Sequence, residues 1–175
     1  YRGIVVTVAL MAFFVMVFAS TMVNVAIPNV MGTFGVGLDK AQFLTSAFLA
    51  TTVASLLANT WLIARFGQPA IFSMCLIVFI VGSFISSFSP TLDMIIFGRV
   101  IQGFGAGVIQ PLIMVLLFDI FPPEKRGMAM GFFSMGVGFA LGLAPALGGI
   151  VVDVLGWRYV FLIPVPVALI SLALG

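Results

Sequence analysis

The sequence predicts an all-α membrane protein: one unit over residues 1–175, built as a bundle of six transmembrane helices. Three observations carry this. Hydrophobic residues make up 63% of the 175, against about 45–50% in soluble domains. Charged residues make up 7%, against about 25%. Seven Lys or Arg and five Asp or Glu are too few to clothe a globule of this size, and disordered chains combine low hydrophobicity with high charge. Finally, the charges fall far apart, and the apolar runs between them approach or exceed the roughly 20 residues a helix needs to cross a bilayer.

On that ruler the spans are 5–30, 42–64, 70–88, 92–119, 128–152 and 160–175. The first is bounded by Arg2 and by a Gly-rich connector from Gly32 to Lys40. The second ends at Arg65, where Phe66-Gly67-Gln68-Pro69 breaks the chain sharply. The third closes at the polar turn from Ser86 to Pro90. The fourth runs to Asp119, and the hydrophilic stretch Pro122 to Gly127 separates it from the fifth. Gly156-Trp157-Arg158 opens the sixth. That span has only 16 residues, about 24 Å of helix, so the chain is expected to be a piece of a longer protein that stops in or just at the end of its sixth helix. A first residue of Tyr1 agrees.

Lys and Arg in short loops set orientation. Arg2, Arg65, Lys125 and Arg126 lie on the side of the N-terminus, Lys40 and Arg158 on the other, which places the N-terminus in the cytoplasm. Trp61 and Trp157 near span ends read as interfacial anchors. A weak repeat relates loop 2–3 to loop 5–6: Gly67 matches Gly156 and Phe72 matches Phe161 at one offset. Three spans separate the copies, so the repeat is inverted across the membrane, a transporter signature.

The inventory excludes several functions. A net charge of +2 without a basic cluster gives no nucleic-acid surface. With no histidine and one cysteine, Cys75 in an apolar run, there is no metal site and no intrachain disulfide. Nothing pairs a nucleophile with a base, so neither an enzyme nor a cofactor is expected.

Arg99 is the charge clearly inside a span. An unpaired arginine there costs about 3 kcal/mol on insertion scales, so it should face a cavity or a polar partner; Gln102, three residues on, shares its face. The plainer alternative is snorkelling, since Arg99 lies about 9 Å along the helix from Asp93. Gly103 and Gly107 read as a helix-packing face. In the fifth span Gly136, Gly138, Gly142, Pro145, Gly148 and Gly149 invite close approach and a bend, because Pro145 leaves the carbonyl four residues earlier without its donor. Thr21, Asn24 and Pro28 share one face of the first span. They and Gln110-Pro111 serve either as interhelical glue or as pathway lining. The 19 Phe and 10 Met suit either a soft, promiscuous lining or lipid-facing bulk.

Together these stretches resemble the N-terminal half of a major facilitator superfamily transporter with its 3+3 inverted repeat, and in particular the fourteen-helix drug:proton antiporters of the EmrB/QacA type. Thr21-Met22-Val23-Asn24-Val25-Ala26-Ile27-Pro28 is similar to the family's first-helix motif. Arg99 with Gln102-Gly103 is similar to the fourth-helix motif, whose arginine is implicated in proton transfer. Ala144-Pro145-Ala146-Leu147-Gly148-Gly149 resembles the fifth-helix antiporter motif, and Trp157-Arg158-Tyr159-Val160-Phe161-Leu162 the start of the sixth helix. The resemblance implies export of small hydrophobic or amphipathic compounds across a bacterial inner membrane, coupled to protons, with a C-terminal half missing here and room for a periplasmic adaptor. With the residue-level reading, it gives an expected coupling and transport path at Arg99, Gln102, Asn24 and Thr21, to which Gln110 is added for its polarity within span four. It also implies a cytoplasmic gate at Arg65 and Gly67, to which Asp119 is added as the charge at the same end, and a fifth-helix motif at Gly138, Gly142, Pro145, Gly148 and Gly149.

Three departures matter. Ala19 stands where the family's first helix usually has an acid, and Thr60 and Ala64 replace the Gly and the acid of the loop 2–3 motif. Arg65 is still expected to find Asp119, since each is otherwise a lone charge near lipid. The proton carrier is expected in the missing half, or at Asp119. A facilitator or symporter for another solute, and a non-transporting scaffold derived from a transporter, are the rival readings.

Overall fold

The computed structural model describes residues 2–174, with side chains from Val5 onward; the Arg2 side chain and the Gly175 end of the sixth span lie outside the described residues. The helices are α1 (Arg2–Phe34), α2 (Leu38–Ala41), α3 (Phe43–Phe66), α4 (Gln68–Ser87), α5 (Leu92–Ile120), α6 (Pro123–Val154), α7 (Tyr159–Leu162) and α8 (Pro164–Leu174), with no strand among the described residues. Short α2 continues into α3 and α7 into α8. The bundle is therefore six helical rods, five of them long and apolar enough to cross a membrane.

The loops are tighter than the spacing of charges suggests. Helix α1 runs on to Phe34, which shortens the Gly-rich connector. The hydrophilic stretch after α5 is mostly helix: Pro123 occupies the first turn of α6, where its missing N–H has no carbonyl to lose. Arg126 reaches back from that turn. Its Nη2 donates to the Phe118 carbonyl at 2.9 Å and its Nε to that of Phe121 at 3.3 Å, satisfying carbonyls that end α5. Helices α1, α5 and α6 pass unbroken through Pro28, Pro111 and Pro145.

The two halves of the repeat do the same local job. Gly67 closes α3 with φ 80° and Gly156 follows α6 with φ 100°, a region a side chain would strain. The matched Phe72 and Phe161 are both buried.

In lipid the hydrophobic effect does not drive helices together, so packing and polar ties must. Helix α5 is central, lying against α3 on one flank and α4 on the other, while α1 packs on α6 and α8. Glycines let α5 approach. A Cβ at Gly98 would lie 2.8 Å from the Gly82 carbonyl oxygen, and one at Gly105 would lie 2.6 Å from that of Cys75. Cβ atoms at Gly103 and Gly107 would strike the Phe48 and Thr52 carbonyls of α3. The packing-face reading of Gly103 and Gly107 therefore holds.

At the end opposite the start of α1, Trp157 is buried rather than anchored in the interface as its position near a span end suggests. Its Nε1 donates to Thr33 Oγ1 at 3.1 Å, and its ring meets Phe34 edge-on. Arg158 Nη2 donates to the Ser89 carbonyl at 3.1 Å, and the Arg158 backbone carbonyl accepts from Ser87 Oγ at 3.2 Å, fastening the α6–α7 turn to the α4–α5 turn. Trp61 does remain exposed.

Candidate functional site

Helix α5 carries Arg99 and Gln102 one turn apart, so both point into the same seam with α3 and α4. Both are fully buried, which rules out snorkelling. Arg99 Nε donates to the Leu44 carbonyl at 3.1 Å, and Nη1 donates to Gln102 Oε1 at 2.9 Å. Gln102 Nε2 passes the chain on to Ser83 Oγ of α4 at 2.7 Å, and Ser83 donates to the Phe79 carbonyl at 2.9 Å. The guanidinium lies 4.1 Å from the centre of the Phe48 ring. Arg99 Nη2 has no hydrogen-bond partner among the described residues. A cation is thus held in the bundle by a carbonyl, an amide and an aromatic face, with no carboxylate in the set. The network ties three helices together and suits a rigid element.

The other named path residues lie elsewhere. Asn24 is exposed on α1, and its Oδ1 accepts from Thr45 Oγ1 of α3 at 2.8 Å. Thr21 turns onto its own helix, donating to the Val17 carbonyl at 3.0 Å. Gln110 is exposed and lines a cavity of about 140 Å³ between α1, α3 and α5. Ser20 and Thr52 supply its hydroxyls; Phe13, Met16, Phe48 and Leu49 supply apolar walls. A second, larger groove of about 490 Å³ runs between α1 and α6, faced by Phe13, Phe14, Phe132 and Phe133. The structure therefore separates the path candidates into two sets. Arg99 and Gln102 are sealed behind α3, whereas Asn24 and Gln110 lie on the open face.

The gate residues do not pair as expected. Arg65 lies over the rings of Trp61 and Phe66, 5.9 Å from each centre. Asp119 instead accepts from Gln68 Nε2 at 3.5 Å, and no Arg65–Asp119 ion pair forms among the described residues. Both side chains are exposed at helix ends, where an arginine gains as much from an aromatic face as from a screened carboxylate. Gly67, the third gate residue, is the α3 cap. In the fifth-helix motif Gly148 packs against Met22, while Gly138, Gly142 and Gly149 face open space and Pro145 is exposed.

Sequence reasoning missed Ser83, Phe48, Thr45 and Thr52. The hydroxyls left a signal, since Thr45, Thr52, Ser55 and Asn59 recur at helical spacing along α3. Phe48 left none, being one of 19 phenylalanines.

A scan against family models matches the Major Facilitator Superfamily over residues 9–175. The chain belongs to this superfamily. Among curated relatives, it is 34% identical to the MFS-type transporter YcnB of Bacillus subtilis over 99% of this chain and 37% of that one. It is 38% identical to the multidrug export protein EmrB of Haemophilus influenzae over 95% and 33%, and 37% identical to EmrB of Escherichia coli over 94% and 32%. The chain thus spans about a third of these relatives' length. Its fold matches that of a D-xylose–proton symporter, with TM-score 0.84 at 16% identity over 99% of this chain and 47% of that one. A peptide transporter matches with TM-score 0.83 at 17% identity over 97% and 36%. Superfamily membership and five helices long and apolar enough to cross a membrane make this an integral membrane protein.

Proposed function

We propose that these residues form the N-terminal six-helix half of an exporter of hydrophobic and amphipathic compounds, working by alternating access and coupled to protons. The observation that carries the reading is the open face of α1, α3 and α5. There a mostly apolar cavity holding Phe13, Met16, Phe48 and Leu49 is dotted with the neutral polar groups of Ser20, Thr52 and Gln110. A lining with no charge and soft side chains accepts varied apolar solutes while a few hydrogen-bonding groups orient them. The EmrB relatives are named multidrug export proteins, which supports export of varied compounds.

The sealed Arg99–Gln102–Ser83 seam serves as the rigid spine, and α3 and α6, the least covered long helices, offer their bare faces to the remainder of the protein. The N-terminus lies in the cytoplasm of a bacterial inner membrane, on the balance of Lys and Arg in the loops, and a periplasmic adaptor fits an exporter of this type. Every carboxylate here stands at a helix end or in a turn: Asp39, Asp93, Asp119, Glu124 and Asp153. The proton carrier accordingly belongs to the rest of the protein, with Asp119 the one local alternative.

Full-length protein in proteoliposomes tests this. Movement of a hydrophobic dye that rises severalfold with an imposed pH gradient is the expected result. Movement indifferent to the gradient would favour a facilitator, and no movement of any solute would favour a scaffold.

A further inference from the structure

Phe48 stands between two features that the transport reading leaves unconnected. Its ring covers the Arg99 guanidinium at 4.1 Å; Phe48 is also one of the residues that line the 140 Å³ cavity. Behind the ring is a cation with a spare Nη2 donor and no carboxylate partner. In front of it is an uncharged cavity. Phe48 is therefore the residue that both lines the cavity and touches a buried, positively charged donor. Leu44, which supplies the carbonyl to Arg99, lies one helical turn before Phe48, so the Nε bond does not run through the ring.

We propose that Phe48 is the specificity-determining lid over Arg99. In place, it satisfies the guanidinium through its π face and shows the cavity an apolar surface that gives an anionic group no partner. Displaced, it opens Nη2 to a carboxylate, which would gain a charge-assisted hydrogen bond in a low-dielectric site. The cavity thus contains a latent anion subsite, and the ring keeps the transporter selective for neutral and cationic apolar solutes. This rests on the proposed solute path along α1, α3 and α5.

The test compares a hydrophobic carboxylate, 4-phenylbutyrate, with its uncharged primary amide, using full-length protein in liposomes and reading both equilibrium binding and transport. In Phe48→Ala the ratio of carboxylate to amide affinity should rise about tenfold over the wild type, the size of one charge-assisted hydrogen bond net of desolvation. Phe48→Leu, which keeps bulk but loses the π face, should give a smaller rise in the same direction and stands in if the alanine variant does not assemble. Adding Arg99→Gln to Phe48→Ala should return the ratio to the wild-type value. An unchanged ratio in both single variants, or a rise that survives Arg99→Gln, would overturn the proposal. Binding without transport in the wild type would count against the exporter reading alone, because the affinity ratio still reports on the lid.

Discussion

Helices α5 and α6 are both long, both glycine-rich and both carry an internal proline, yet they do opposite things. On α5, Cβ atoms at Gly98, Gly103, Gly105 and Gly107 would strike backbone or side chains of α3 and α4. On α6, Gly131, Gly136, Gly138, Gly142 and Gly149 look onto open space, and Gly148, against Met22, is the exception. The same residue type in the same secondary structure is a closed contact in one helix and an open surface in the other. Composition cannot tell them apart, because the difference lies in which neighbour arrives. On α5 the neighbours are in these residues. On α6 the glycines other than Gly148 meet no neighbour among the described residues.

This contrast can be broken most sharply at Gly107. Gly107→Leu drives a side chain into Ser55 and the Thr52 carbonyl, and should cost about 3 kcal/mol or prevent assembly; thermal unfolding of the purified full-length protein reads it. Arg99→Met comes next. It removes the tie to Leu44 and leaves Gln102 Oε1 without its donor, with an expected loss of about 1–3 kcal/mol. A milder cut on the same closed side is Trp157→Phe, which keeps the ring and deletes the bond to Thr33, for about 1 kcal/mol. Gly142→Ala probes the open side. Its Cβ meets nothing within 4 Å, so stability should shift by no more than about 1 kcal/mol, the scale of helix propensity. A loss as large as that of Gly107→Leu would mean that the α6 face is packed against the remainder of the protein as tightly as α5 is against α3. Smallest of all, replacing Arg65 and Asp119 singly and together should give effects additive to within about 0.5 kcal/mol, since the two make no ion pair.

Much of the fold was legible because it is set by one-dimensional quantities. Charge spacing marked the spans, Gly67 and Gly156 marked matching turns, and burying an arginine demanded partners. Gln102 could be placed on the face of Arg99 because residues three apart on a helix are neighbours; that the two bond each other is the structure's addition. Ser83, Leu44 and Phe48 could not, since each comes from another helix and its position depends on how closely Gly82, Gly98 and Gly103 let the helices meet. The expected Arg65–Asp119 pair failed for a related reason. Being at the same end of the bundle does not by itself pair two charges, and Trp61 and Phe66 on its own helix give Arg65 aromatic faces instead. Trp157 misled because the membrane-belt rule treats a tryptophan by its depth, whereas Thr33 and Phe34 at the end of α1 reach over and enclose it.

The central claim is that solutes travel along the open face at Gln110 while the seam of α5 with α3 and α4 stays closed. Thiol labelling tests it directly. Cys75 is fully buried, so it adds little background once cysteines elsewhere in the full-length protein are removed. With a small membrane-impermeant thiol reagent, Gln110→Cys should react, and a transported hydrophobic compound should slow that reaction severalfold. Ser83→Cys, inside the seam, should stay unmodified. Labelling at position 83 as fast as at 110, or labelling at 110 that the compound leaves unchanged, would contradict the account.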